Sequence, residues 1–221
     1  YQPIERKYGI TRSLLEVAAR FNQPVGIVTK NALVERDLDI LAPMARRGLA
    51  AVFVSVTTLD HQLARRMEPR ASAPSRRVEA IRRLSEAGVP VGVMFAPVIP
   101  FLNDAALESV IETAADAGAT QAGYILLRLP YEVKDLFRDW LEDHFPLKAQ
   151  HVMSRVHAMR DGRDNDPAFG SRMVGSGEFA ELLSKRFRIA CRRFDLNLNQ
   201  RVLDTSQFHR PVGSGQMDLF Q

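Results

Sequence analysis

The sequence predicts a parallel α/β fold, a partial (β/α) barrel or a doubly wound sheet, on three observations. Four short apolar runs rich in Val and Ile recur: Pro24 to Lys30, Ala50 to Thr58, Val89 to Pro100 and Ala122 to Pro130. Each is largely continuous rather than alternating, as expected of strands covered on both faces. Amphipathic stretches of helical length separate them, and crossovers of that length join parallel neighbours.

In chain order, Tyr1 to Phe21 reads as a loop and one helix with no strand ahead of it. A barrel starting there would leave a strand edge open. The expectation is therefore that further strands precede Tyr1, and the chain also opens without a methionine. After the first strand come the helical stretches "RDLDILAPMARRG", "SRRVEAIRRLSEAG" and "DAALESVIETAADAG", each ending in a glycine placed for a C-cap. Asp104 is the expected N-cap of the last. A fourth helix is predicted from Tyr131 to His144. Beyond Phe145 the strand rhythm stops: "LKAQHVMSRVHAMR" and "EFAELLSKRFRIACRR" read as helices around the turn-rich "DGRDNDPAFGSRMVGSG". The expected organisation is a partial barrel over 1–145, a helical extension over 146–206 and a loop-like tail over 207–221.

Composition narrows the function classes. The 221 residues are 46% hydrophobic and 25% charged, with a net charge of +4. That is an ordinary soluble composition, and no apolar run approaches the roughly 20 residues of a membrane span. The mild positive charge permits an anionic partner without demanding one. One cysteine, Cys191, excludes an internal disulfide framework and fits a reducing, cytoplasmic setting. There is no G-x-G-x-x-G, no Walker A loop and no G-x-S-x-G elbow. The five histidines lie outside the strands, and none forms a metal-binding pair.

In parallel α/β folds, ligands gather at the carboxyl ends of the strands. Those ends offer Lys30, Ser55, Thr57, Ala96, Pro97 and Arg128. Alternate side chains share a face, so Ser55 pairs with Thr57 and Tyr124 with Arg128. Two cations, hydroxyls and an aromatic ring suit a small molecule carrying a carboxylate, sugar hydroxyls and a flat ring. Lys30 precedes a helix start, where a cation opposes the helix dipole; that mild cost points to a ligand. An aldolase-type enzyme is the alternative, but Lys30 has no evident acidic partner in the sequence.

The runs "GITRSLLE", "IVTKNALVERDLDIL", "RMEPRASAPSRRVEAIRRLSEAGVPVGVMFAPVIPFLND" and "GYILLRLPYEVKDLF" resemble radical S-adenosylmethionine proteins of the group related to spore photoproduct lyase. The resemblance covers roughly residues 1–195 and is most specific from Met67 to Asp104. It implies a partial (β/α)6 barrel, an enzyme, and a [4Fe–4S] cluster held by a C-x-x-x-C-x-x-C loop. With an external reductant, that cluster cleaves S-adenosylmethionine to a 5′-deoxyadenosyl radical, which abstracts hydrogen from substrate. It also implies that Lys30 meets the cofactor's carboxylate, with Ser55 near its polar groups. Arg70 is a second candidate for the same anion, and Ala96, Pro97 and Tyr124 would lie near the adenine. The cysteine loop is missing, so the cluster is expected upstream of Tyr1, in a longer protein.

Two further stretches suggest partners. "KRFRIACRRF" concentrates cations on one helix, as in a phosphate-contacting surface for nucleic acid. "QMDLF" resembles the bacterial sliding-clamp-binding pentapeptide, with Gln216, Leu219 and Phe220 as the contacts and "GSG" as a flexible tether. Leucine is usual where this motif carries Met217. A non-catalytic adaptor using these two features on a barrel scaffold is the rival to an enzyme.

Overall fold

The computed structural model describes residues 1–199 and 202–210. It contains a four-stranded parallel sheet in the order β1 (Val25–Thr29), β2 (Ala50–Ser55), β3 (Val91–Val98) and β4 (Gln121–Leu126). The helices are α1 (Glu5–Tyr8), α2 (Ile10–Arg20), α3 (Leu38–Arg46), α4 (His61–Met67), α5 (Pro74–Glu86), α6 (Leu107–Asp116), α7 (Val133–His144), α8 (Pro146–Ala158) and α9 (Gly177–Arg193). All four expected strands form, each shorter at its carboxyl end than the apolar run. There the chain leaves the ladder to build the site. Among the described residues the sheet is open, with β1 at one edge and β4 at the other.

Three helical features differ from expectation, one being that Asp104 opens a 3₁₀ turn (Asp104–Ala106) and Ala106 takes the N-cap position of α6. The segment ahead of β1 holds two helices instead of one, because Gly9 adopts φ +62° and breaks α1 from α2. Helix α4 was not legible as a separate helix: Asp60 caps it, its carboxylate accepting from the Gln62 and Leu63 amides at 2.7 and 3.3 Å.

Parallel register fixes which residues share a face. Val54 is level with Thr29 on one side and Val93 on the other, and Val93 with Ala122. Val52, Val54, Val93 and Phe95 are fully buried in the main core with residues of α3, α5, α6 and α9. The opposite face carries Val28, Phe53, Met94 and Ile125, all at least partly accessible. On that face a Cβ at Gly92 would overlap the Phe53 ring, so any larger residue there would have to displace that ring.

The two aspartates after β1 fasten the amino-terminal helices to the sheet. Asp37 is completely buried. It accepts from Tyr1 Oη at 2.8 Å, Arg12 Nη1 at 3.1 Å and Arg36 Nε at 2.8 Å. Arg12 reaches on to Asp39 at 2.6 Å, and Arg36 to Glu5 at 3.0 Å. Burial would raise the Asp37 carboxyl, but the hydrogen bonds from Arg36, Tyr1 and Arg12 outweigh it and hold the group below its ordinary value.

Removing one partner of a buried ion pair costs about 3–5 kcal/mol, whereas exposed pairs contribute at most about 1. Urea unfolding of Asp37→Asn should therefore show a loss of about 3 kcal/mol or more, and Asp39→Asn under about 1. The folded carboxyl is depressed, so Asp37's contribution is complete above its unfolded value near ~3.9 and is lost as pH falls below that. Equal losses in the two variants would refute this division.

Candidate functional site

The carboxyl ends of the strands are stitched together by buried polar side chains, and one carboxylate is the hub. Glu68 follows α4 in the loop that crosses the exit of β1. Ser72 fastens that loop: its amide donates to Lys30 O at 3.2 Å, and its hydroxyl accepts from the Ala32 amide at 2.9 Å. This brings Glu68 Oε1 to 2.5 Å from Lys30 Nζ. Its other oxygen accepts from Thr57 Oγ1 at 3.0 Å and lies 2.6 Å from Arg77 Nη2, an ion pair outside hydrogen-bond angles. Arg77, rising from α5, also donates to Ser55 O at 3.1 Å and Ser72 O at 2.6 Å. Burial would raise the Glu68 carboxyl; Lys30 and Arg77 outweigh it, and the group remains a carboxylate.

Lys30 therefore has an acidic partner, contrary to the sequence reading. The helix start it precedes is 3₁₀ and not α: Asn31 caps Ala32–Asp37, its side chain accepting from the Leu33 amide at 2.9 Å. Sequence reasoning missed Glu68, Arg77 and Asn103. Asn103 is buried; its amide donates to Thr57 O at 2.8 Å and Pro97 O at 2.9 Å, and its oxygen accepts from the Ile99 amide at 2.7 Å. It pins the exits of β2 and β3 to each other. The signal for Glu68 was its place in "RMEPR", but nothing in that string says which cations it meets.

Two hollows flank the Lys30–Glu68 pair. One, of about 500 Å³, is the more polar of the two, mixing polar and apolar surface, and includes Val28, Lys30, Asn31, Ser55, Glu68 and Arg70 in its lining. The other, of about 340 Å³, is largely apolar, with Pro97, Ile99, Leu127, Phe137 and Trp140 beyond the shared pair. Both volumes fall in or near the range of small-molecule sites. Phe137 and Trp140 are near parallel at 5.6 Å, and Trp140 Nε1 donates to Arg66 O at 3.2 Å.

The expected site residues thus separate. Lys30 and Ser55 share the polar hollow, with Arg70 exposed at its wall. Thr57 is buried and committed to Glu68. Pro97 lines the apolar hollow, and Ala96 lines neither. Tyr124 does not join them. It is level with Phe95 on the helix-covered face, where its ring packs at 4.8 Å on Phe187 of α9. Lys30 and Ser55 continue the alternate face, so Tyr124 is out of phase by one residue. Arg128 lies past the end of β4 and lines neither hollow. The basic residues of α9 line neither: Arg186 pairs with Glu108 at 2.6 Å, while Lys185, Arg188 and Arg192 face outward.

Stability should distinguish the enclosed hub from the half-exposed cation tethered to it. Arg77 is enclosed at 1% exposure, whereas the Lys30 side chain is 42% exposed. Glu68→Gln and Arg77→Gln are each expected to cost about 3–5 kcal/mol in urea unfolding, and Lys30→Met no more than about 1. A large loss in Lys30→Met would make that lysine structural.

Comparison with known proteins places this geometry. The Radical SAM superfamily model matches residues 5–114, the segment holding Lys30, Ser55, Glu68, Arg77 and Asn103. An uncharacterized protein of Mycobacterium tuberculosis strain H37Rv is 32% identical over 148 residues, covering 66% of this chain and 44% of that protein. One from Methanocaldococcus jannaschii is 26% identical over 157 residues, covering 71% and 57%. The chain thus spans less than half the length of the mycobacterial relative. Among solved structures, a mutant of spore photoproduct lyase superposes with a TM-score of 0.59 at 19% identity, over 86% of this chain and 55% of the lyase chain. The chain belongs to the radical SAM superfamily and shares the fold of spore photoproduct lyase.

Proposed function

We propose that this chain forms the S-adenosylmethionine-holding part of the catalytic barrel of a radical enzyme, with the polar hollow as the cofactor site. The observation that carries the proposal is a half-exposed ammonium, Lys30, held in that hollow by a buried carboxylate. A cation so placed suits the carboxylate of the cofactor's methionine moiety. Ser55 and Arg70 supply further polar contacts on the same wall, and Glu68 keeps Lys30 aimed.

Bound beside a reduced [4Fe–4S] cluster, S-adenosylmethionine supplies a carbon radical that takes hydrogen from an unactivated C–H bond. Such a cluster needs several thiolates. The one cysteine here, Cys191, is enclosed under α9, and burial pushes its thiol up to about 11. It does not fit a cluster ligand. The residues present bind and orient, and the apolar hollow beyond Lys30 offers an apolar wall where a substrate would meet the cofactor.

Nucleic acid is the substrate class we favour, supported by the outward cations Lys185, Arg188 and Arg192. That stripe lies apart from the hollows, so it would hold a polymer by its backbone. The segment Gln216–Phe220, outside the described residues, is a proposed docking motif for the bacterial sliding clamp.

Equilibrium dialysis with S-adenosylmethionine tests the cofactor site. Losing a charged hydrogen bond of about 1.5–3 kcal/mol should weaken binding by roughly 10–150-fold in Lys30→Met. Decarboxylated S-adenosylmethionine should bind the two forms alike. Undiminished affinity for the intact cofactor in Lys30→Met would remove the proposal. For the partner, a peptide carrying Gln216–Phe220 is expected to bind the clamp at micromolar concentration, and Leu219→Ala with Phe220→Ala to abolish it. Absence of binding by the unaltered peptide would discard the clamp.

A further inference from the structure

The turn-rich segment between α8 and α9 is fastened along its length. Asp164 lies 2.6 Å from Arg138 of α7 and 2.8 Å from His157 of α8. Asp166 closes the turn on itself, accepting from the Ala168 amide at 2.8 Å and from Ser171 Oγ at 2.5 Å. Ser171 O accepts from the enclosed Arg160 at a long 3.4 Å. Met173 O accepts from the Leu126 amide at 2.9 Å, and the Ser176 amide donates to Met159 O at 3.0 Å. A loop tied at both ends and across its middle holds a defined shape.

From that loop Phe169 stands out into solvent, 92% exposed. Exposed apolar residues are common singly and need no explanation by themselves. Here the ring has a cation set against it. The Arg172 amide donates to Ala168 O at 3.1 Å, and the guanidinium carbon of Arg172 lies 4.9 Å from the Phe169 ring centroid. Neither Arg172 nor the exposed Arg163 forms an ion pair among the described residues. The turn therefore presents a planar apolar ring, open to a partner, beside positive charge that no carboxylate balances. An apolar protein surface would match the ring and leave both cations without a counter-charge. A base with its phosphate uses both, the ring stacking and the guanidinium meeting the anion. In a duplex the base faces are already covered by one another, so only an unpaired strand offers them.

We propose that Phe169 and Arg172 form a stacking platform for one base of a single-stranded nucleic acid. The platform rests on the nucleic-acid reading above and is independent of the cofactor site. It leads directly into α9, whose outward cations Lys185, Arg188 and Arg192 are placed for phosphates farther along a strand. Stacking of this kind is tolerant of sequence, because every base has a π-face.

The test is fluorescence anisotropy of the full chain with a short labelled oligothymidylate, repeated over a range of salt concentrations. Phe169→Ala, at a position too exposed to carry the fold, should weaken binding roughly 5–150-fold. It should leave the salt dependence as it was, because no charge is removed. Arg188→Gln should instead lower the salt slope by about 1. Phe169→Tyr keeps an aromatic face and should restore binding, and the emission added by Phe169→Trp should be quenched by the oligonucleotide. A fully abasic strand should bind the unaltered chain and Phe169→Ala alike, and so should a duplex. Binding of the oligothymidylate that is unchanged in Phe169→Ala would overturn the platform alone and leave α9 as the contact. A loss in Phe169→Ala that persists on the abasic strand would also overturn it, as a disturbance of the loop. No binding by the unaltered chain would remove the nucleic-acid reading together with the platform.

Discussion

The Glu68 carboxylate is the constraint on which the site depends. It meets a lysine from the exit of β1, a threonine from beyond β2 and an arginine from α5, and that arginine also holds a β2 carbonyl. Each contact alone is ordinary. Together they fix the relative height of two strand ends and set the floor between the two hollows. A carboxylate can do this because its two oxygens accept several donors at once, and because burial strengthens each contact while two cations prevent it from becoming neutral.

The stitching continues across the sheet, through a side chain at one gap and the backbone at the next. Asn103 joins the exits of β2 and β3 through three hydrogen bonds, and the Leu127 amide donates to Val98 O at 3.0 Å to join β3 to β4. Arg160 then ties the β4 exit to the loop ahead of α9. The strand ends are thus rigid where a ligand needs them rigid, although the backbone there has left the ladder. Polar groups on a fixed frame are pre-organised, which is the property a site for a reactive cofactor requires.

The charges also sort by exposure. Arg77 and Arg160 are enclosed: Arg77 donates to two backbone carbonyls and pairs with Glu68, and Arg160 donates to the carbonyls of Leu127 and Ser171. Lys30 is tethered at one oxygen yet half open to solvent. Only the second kind of cation can change partner without unfolding the chain, so the same positive charge serves structure at one position and recognition at another.

The sequence by itself determined the four strands, their parallel order of connection, the helices between them, and Lys30 and Ser55 as neighbours at the strand ends. Those follow from runs of apolar residues and from alternation, which are local properties. It could not determine the partner of Lys30, because Glu68 lies 38 positions away and reaches it only after Ser72 folds the intervening loop back. Nor could it place Tyr124, whose face depends on the register of β3 against β4 and not on its own strand. Pairing across loops and register between strands are set by packing of the whole, and only the tertiary structure decided them.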